Sequence, residues 1–333
     1  MVGIIKTIKK IILWLLFLIS AILLAGYMTM VYREQQSLET AAPTSGKLIQ
    51  TNDARIFVQD SGPRDGAAIV LIHGTGAWSE IWRDTITPLT NFGFRVIALD
   101  LPPFGYSEKL TGAAAYQSTK QAQRIADVLK ALYIPKAIMV CHSVGCRSAI
   151  ELVLRQPETI EKLVMADPAL SFDEDSNPAN FKQNAPSTLP SILLAPHPLR
   201  TAIIATYGSN PLSIKPIFSS FVYDKSCVTP ERVSILQKPL VIKNMTQAEG
   251  DWLQNLSLAA DDSLYTDFNN FSKLTMPVLL IWGREDTITP LWQGEKLNQL
   301  FPSANLVVID KVGHIPYIED TERFNDELLK FVN

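Results

Sequence analysis

Ser143 stands between an apolar run and a helical pattern. Residues 137–140, Ala-Ile-Met-Val, have the continuous apolar character of a short buried strand. Cys141-His142-Ser143-Val144-Gly145 follows, and residues 147–156 have the apolar spacing of a helix. Strand, sharp turn and helix with a serine at the tip lift a hydroxyl clear of a sheet. The same turn sets the Val144 N–H at a helix N-terminus, where it can stabilise a developing oxyanion. Gly145 lets the helix backbone pass close to the strand without a Cβ clash. A serine hydroxyl is a poor nucleophile at neutral pH, so it needs a histidine to take its proton and a carboxylate to orient that histidine. The chain offers four histidines: His73, His142, His197 and His314. Cys141 fails as a rival nucleophile, because it lies at the strand end and not at the turn tip.

The elements around this turn alternate. Residues 48–50 and 55–58 flank the turn pair Asn52-Asp53 and read as an antiparallel hairpin at a sheet edge. Apolar runs at 67–72, 95–99, 160–166, 277–282 and 305–309 read as further strands. Helical patterns fall at 78–92, with Ser79 as N-cap, at 118–132, at 290–300 and at 321–332, with Thr321 as cap. This alternation argues for a mainly parallel sheet covered on both faces. It breaks between residues 170 and 276. There apolar pairs (Leu193-Leu194, Ile203-Ile204, Ile217-Phe218) lie among Pro190, Pro196, Pro198, Pro211 and Pro216.

The 333 residues, 47% hydrophobic and 19% charged, suffice for one substantial α/β domain with an insertion. A net charge of −3 supplies no basic field for nucleic acid. Three cysteines give neither metal spacing nor a disulfide framework, so Cys141 and Cys146 read as small buried apolar residues. Residues 11–32 carry no charge and, at about 22 residues, can span a bilayer as a helix. Lys6, Lys9 and Lys10 precede them, which puts the N-terminus in the cytoplasm and the remaining chain outside. The rival is a signal peptide cleaved near Ala25-Gly26, giving a secreted protein. The apolar run continues past that point, which favours an anchor. The polar stretch 34–46 reads as a linker.

On these residues the chain resembles the α/β-hydrolase superfamily, in its serine-nucleophile branch. The family's elbow is G-x-S-x-G, and Cys141 here takes the place of the first glycine. The resemblance implies a second oxyanion donor after the strand ending in His73-Gly74-Thr75-Gly76. That donor is the Thr75 N–H, with Gly76 in reserve, while His73 bonds to backbone. Residues 100–107 resemble the family's D-x-x-G-x-G-x-S loop, with Pro103 in the first glycine position. The family's catalytic acid lies in G-x-x-D-x-x-x-P, which Gly283, Asp286 and Pro290 match; Glu285 does not. Its histidine lies in G-H-x-P-x-x-E, which Gly313, His314, Pro316 and Glu319 match. With His73 and His142 occupied in motifs and His197 in the insertion, His314 is left as the base.

The implied organisation is an anchor at 1–33, a linker at 34–46, a core in two parts at 47–169 and 276–333, and a helical cap at 170–275. The implied chemistry is an acyl-enzyme on Ser143 with no metal or organic cofactor. The expected substrate is a small carboxylic ester or lipid, which makes the protein a membrane-anchored esterase or lipase. A thioesterase, amidase, carbon–carbon hydrolase or perhydrolase would use the same groups. A non-catalytic binding protein of the fold is the remaining class, and a complete serine, histidine and acid set speaks against it.

Overall fold

The computed structural model describes residues 2–170, 197–256 and 262–333. The prolines and leucines at 190–196 lie outside the described residues. A long helix α1 (Val2–Arg33) and a short α2 (Leu38–Ala41) lead into strands β1 (Lys47–Gln50) and β2 (Arg55–Ser61). Then come β3 (Ala68–Ile72), α3 (Arg83–Asn91), β4 (Arg95–Leu99), α4 (Ser118–Ala131), β5 (Ala137–His142), α5 (Gly145–Arg155) and β6 (Ile160–Ala166). Among the described residues four α-helices follow: α6 (His197–Thr206), α7 (Pro211–Phe221), α8 (Pro230–Gln237) and α9 (Met245–Leu256). The chain closes with β7 (Val278–Gly283), α10 (Trp292–Leu300), β8 (Ala304–Ile309), α11 (Pro316–Glu319) and α12 (Thr321–Val332).

The strands form one sheet in the order β1-β2-β4-β3-β5-β6-β7-β8. β1 pairs with β2, and β2 with β4, in antiparallel fashion; every pairing from β4 through β3 to β8 is parallel. Alternation along each strand sends side chains to two cores. Val70, Ile72, Met139 and Cys141 meet Ile125, Val128 and Ile150 of α4 and α5 on one face. Ile69, Leu71, Ile138 and Val140 meet Leu89, Phe324 and Leu328 of α3 and α12 on the other. Each such side chain, removed wholly from water, contributes about 1.5–3 kcal/mol.

Several local expectations are corrected. Ser79 does not cap the helix after β3. That segment starts as a 3₁₀ turn, Ser79–Trp82, and the Asp100 carboxylate at the end of β4 accepts the Ser79 N–H at 2.7 Å. Asp320, not Thr321, caps α12 by accepting the Arg323 N–H at 3.1 Å. Residues 34–46 are no loose spacer. Gln36 bridges to Ile242, Leu38 is buried, and the Glu34 carboxylate accepts the Thr246 N–H at 3.1 Å. Arg33 donates to the carbonyl of Leu240 at 2.8 Å, so the end of α1 is fastened to the helical segment. Cys141 and Cys146 are buried, but they are not separate apolar fillers. They form a disulfide, with Cα atoms 5.0 Å apart, that spans the Ser143 turn. A turn that folds back within five residues brings together two cysteines whose spacing, read linearly, matches no framework.

Candidate active site

The elbow is built where β5 meets α5. Ser143 has φ +52°, a left-handed conformation that a side chain adopts only when its surroundings compel it. Here the Ser143 N–H bonds to the Ala166 carbonyl at 3.1 Å, and the Ser143 carbonyl accepts the N–H groups of Cys146 and Ala169. A Cβ on Gly145 would lie 2.3 Å from the His73 carbonyl oxygen, so only glycine lets α5 start so close to β3. Thr75 lies in the turn after β3, and among the described residues neither its N–H nor that of Val144 has a protein acceptor.

The acid and the histidine arrive from the ends of β7 and β8. His314 Nε2 lies 2.9 Å from Ser143 Oγ, and His314 Nδ1 lies 2.8 Å from Asp286 Oδ2. Asp286 also accepts the Ile288 and Thr289 N–H groups at 2.7 and 3.0 Å and the Thr289 hydroxyl at 2.6 Å. Burial alone would raise the Asp286 carboxyl. The hydrogen bond and charge of His314, with the Thr289 bonds, outweigh it and hold the group below its usual range. The loops meet closely: a Cβ on Gly283 would lie 1.9 Å from the Gly313 carbonyl oxygen. Ser143 is 5% exposed and His314 2%, so both lie beneath the protein surface. The arrangement can deprotonate a serine hydroxyl, hold the resulting imidazolium and offer two free N–H groups to an oxyanion.

The other expected residues fall elsewhere. Glu285 turns away and accepts the Val312 N–H. His73 accepts the Leu101 N–H on Nε2, so its Nδ1–H donates to the Gly74 carbonyl at 2.7 Å; burial pulls its pKa down to about 4. His197 opens α6 on the surface.

Sequence reasoning gave no specific role to His142, Tyr317, Glu319, Asp167 or Thr289. His142 Nε2–H donates to the His314 carbonyl at 2.8 Å, and Tyr317 donates to His142 Nδ1 at 3.1 Å. Burial pushes His142 down to about 3, so it stays neutral and holds the His314 backbone. Glu319 accepts the N–H groups of Gly313 and Ile315 on one oxygen and of Tyr223 and Asp224 on the other. Asp167, at the end of β6 with φ +42°, accepts the Gly283 N–H at 3.0 Å through Oδ1. Its other oxygen is buried without a partner, and oxygens of Asp167 and Asp286 lie within 4.8 Å of each other. Burial, then the Asp286 charge, raises Asp167 well above its usual carboxylate range and favours its protonated form. The Asp-Pro step after β6 was the one visible sign of Asp167. Thr289 lay within the acid loop's own frame.

Over the site, Phe104, Leu240, Met245 and Trp252 form an apolar cluster on which Val144 packs. Phe104 and Trp252 meet edge to face, ring centres 4.8 Å apart.

Comparison with known proteins fits this geometry. The sequence model described as alpha/beta hydrolase fold matches residues 67–321. A 2-hydroxy-6-oxononadienedioate/2-hydroxy-6-oxononatrienedioate hydrolase of Burkholderia vietnamiensis is 31% identical over 84% of this chain and 91% of its own. A 2-hydroxy-6-oxo-6-phenylhexa-2,4-dienoate hydrolase of Burkholderia cepacia is 26% identical over 88% of this chain and 98% of its own. Among solved structures, a meta-cleavage product hydrolase from Pseudomonas fluorescens IP01 superposes with a TM-score of 0.66 at 25% identity, covering 86% of this chain and 97% of its own. These relatives overturn the expectation of a carboxylic-ester hydrolase, esterase or lipase. They are named for carbon–carbon substrates, and the same serine machinery serves both reactions, so the motifs alone could not separate them. By family match and by relatives the chain belongs to the α/β-hydrolase fold family.

Proposed function

We propose that this protein hydrolyses the carbon–carbon bond beside a ketone in a 2-hydroxy-6-oxo-dienoate. The likeness to the Burkholderia vietnamiensis hydrolase along most of both chains carries this reading. Such a compound has an enol at one end of a conjugated chain and a ketone at the other. Once the enol becomes a ketone and the proton moves to the carbon beside the second carbonyl, that carbon can leave with its electron pair. The pair is delocalised onto the new ketone oxygen. Ser143 adds to the far carbonyl as His314 takes its proton, and Asp286 steadies the imidazolium. The N–H groups of Val144 and Thr75 receive the oxyanion. The bond breaks, the dienolate takes a proton, and water activated by His314 releases the acid from Ser143. The apolar cluster of Phe104, Leu240, Met245 and Trp252 suits the hydrocarbon part of the substrate.

The protein acts beside a membrane in this reading, with α1 retained as an anchor and the catalytic domain outside. Leu23, on the N-terminal side of Ala25-Gly26, is half-buried and shares a cleft with Pro198 and Leu199 of α6, which supports retention over cleavage. The Cys141–Cys146 disulfide supports an oxidising compartment.

Incubation of the full chain with 2-hydroxy-6-oxo-6-phenylhexa-2,4-dienoate tests the reaction. The expected result is loss of the dienolate absorbance with release of benzoate, reduced about 10⁴–10⁶-fold in Ser143→Ala. A folded protein whose Ser143 reacts with a fluorophosphonate but which leaves such dienoates intact would overturn the substrate class and keep the serine.

A further inference from the structure

α1 is not a free tether. Over most of its length its side chains are exposed, but Leu23, Gly26, Met30 and Arg33 are covered, spaced as one helical stripe. A Cβ on Gly26 would lie 2.3 Å from Thr206 Oγ1, so α1 and α6 touch backbone to backbone. Arg33 then reaches the Leu240 carbonyl, and Glu34 the Thr246 N–H. The helical segment is therefore held at a fixed height on α1.

Helix geometry sets that height. At 1.5 Å per residue, Gly26 lies about 24 Å along the axis from Lys10 and about 30 Å from Lys6. A bilayer's hydrocarbon core is about 30 Å thick. If the three lysines sit at the headgroups of one leaflet, Gly26 and the α6 surface against it lie at or inside the outer edge of the other. Tilt of α1 only carries them deeper.

The exposed surface there has the matching chemistry. Leu199 of α6, Tyr207 just after it and Leu212 of α7 are 45%, 60% and 87% exposed. Tyr27 and Tyr32 of α1 are exposed beside them, and tyrosine favours the membrane interface. Neither α6 nor α7 contains an acidic residue. Arg200 is turned inward onto Asp251 at 2.6 Å, which leaves Lys215, one turn after Leu212, as the exposed cation of the two helices. Two open clefts of about 670 and 500 Å³ flank the seam between α1 and the two helices, with Leu24, Leu199, Met28 and Leu212 among their walls.

We propose that the outward side of α6 and the first turn of α7 form a lipid-contacting surface, seated in the leaflet opposite Lys6, Lys9 and Lys10. The bilayer is the occupant, and lipid tails fill the two clefts. This rests on α1 crossing the membrane, and it adds that the roof of the active site is itself immersed at its edge.

The test uses the full chain in nanodiscs of phosphatidylcholine and phosphatidylglycerol, with nitroxide labels on Leu199→Cys and Leu212→Cys in a Cys227→Ser background. Leu16→Cys in mid-α1 and Tyr133→Cys, on the surface of the hydrolase core, serve as references. Collision with oxygen and with a water-soluble nickel chelate is read at each site. The expected result is that Leu199 and Leu212 follow Leu16: oxygen-accessible, with chelate broadening lost. Chelate broadening like that at Tyr133, with Leu16 still shielded, would overturn the surface while leaving the anchor intact. Exposure of Leu16 to the chelate would overturn the anchor, and the surface with it. Sites poor in both reagents would mean a second copy covers this face, and that also overturns the proposal.

Discussion

Asp167 has the least expected role near Ser143. Two buried carboxyls this close cannot both ionise, and Asp286, paired with His314, keeps the charge. Asp167 is thus the carboxyl of the pair on which a proton rests more readily. Asp167→Asn should keep kcat within a few-fold, since an amide is likewise uncharged, whereas Asp167→Ala should lower kcat with KM little changed; steady-state kinetics decides. Equal loss in both variants would mean that the proton is not what matters. Ser143, Asp286 and His314 were legible because each sits at the end of an apolar run in a short frame. Asp167, His142 and Tyr317 were not, because their partners lie 119, 172 and 175 residues away or meet only through the sheet order.

At the scale of elements, strands and most helices were readable from periodicity, and the caps were not. Ser79 and Thr321 have the right residue type in the right place, yet the Ser79 hydroxyl accepts from the Gln59 amide and the Thr321 hydroxyl donates to the Tyr317 carbonyl, leaving the Arg323 N–H to Asp320. The stretch 34–46 looked like a spacer because polar composition says nothing about docking. Glu319 ties the His314 loop to the end of α7. Glu319→Ala should cost on the order of 2 kcal/mol of stability and lower kcat, with Glu319→Gln in between. Chemical denaturation and kinetics on both variants check this; an Ala variant as stable as the parent would remove Glu319 from the account.

For the whole molecule, buried titratable groups oppose one another. His73 and His142 have folded pKa values of about 4 and about 3, below the ordinary 6.5. Their contribution is present above pH 6.5 and is lost as pH falls toward those values, for His73 on the order of 3 kcal/mol. Asp100 is raised by burial to about 6, and Asp167 well above its usual value. Their contribution is full below pH 3.8 and is lost as pH rises through the folded values. Between about pH 4 and 6 the two trends offset. Melting temperature against pH should therefore be shallow in the parent, steeper on the acid side in Asp167→Asn, and gentler there in His142→Gln. Parallel curves for all three would contradict this. Removal of residues 1–33 strips the cover from α6 and should lower melting by about 5 °C while the sheet persists.

The roof is thus fastened at two ends. α1 holds α6, and Glu319, with the His314 N–H on the Phe221 carbonyl at 2.8 Å, holds the end of α7. Between those ends it is tied again at α9, where Asp251 accepts the Gly112 N–H at 2.8 Å and Asn255 donates to the Tyr116 carbonyl at 3.1 Å. A roof pinned beside the base hands its own strain to the imidazole: a shift at the end of α7 pulls His314 off line, and the proton relay is then out of gear.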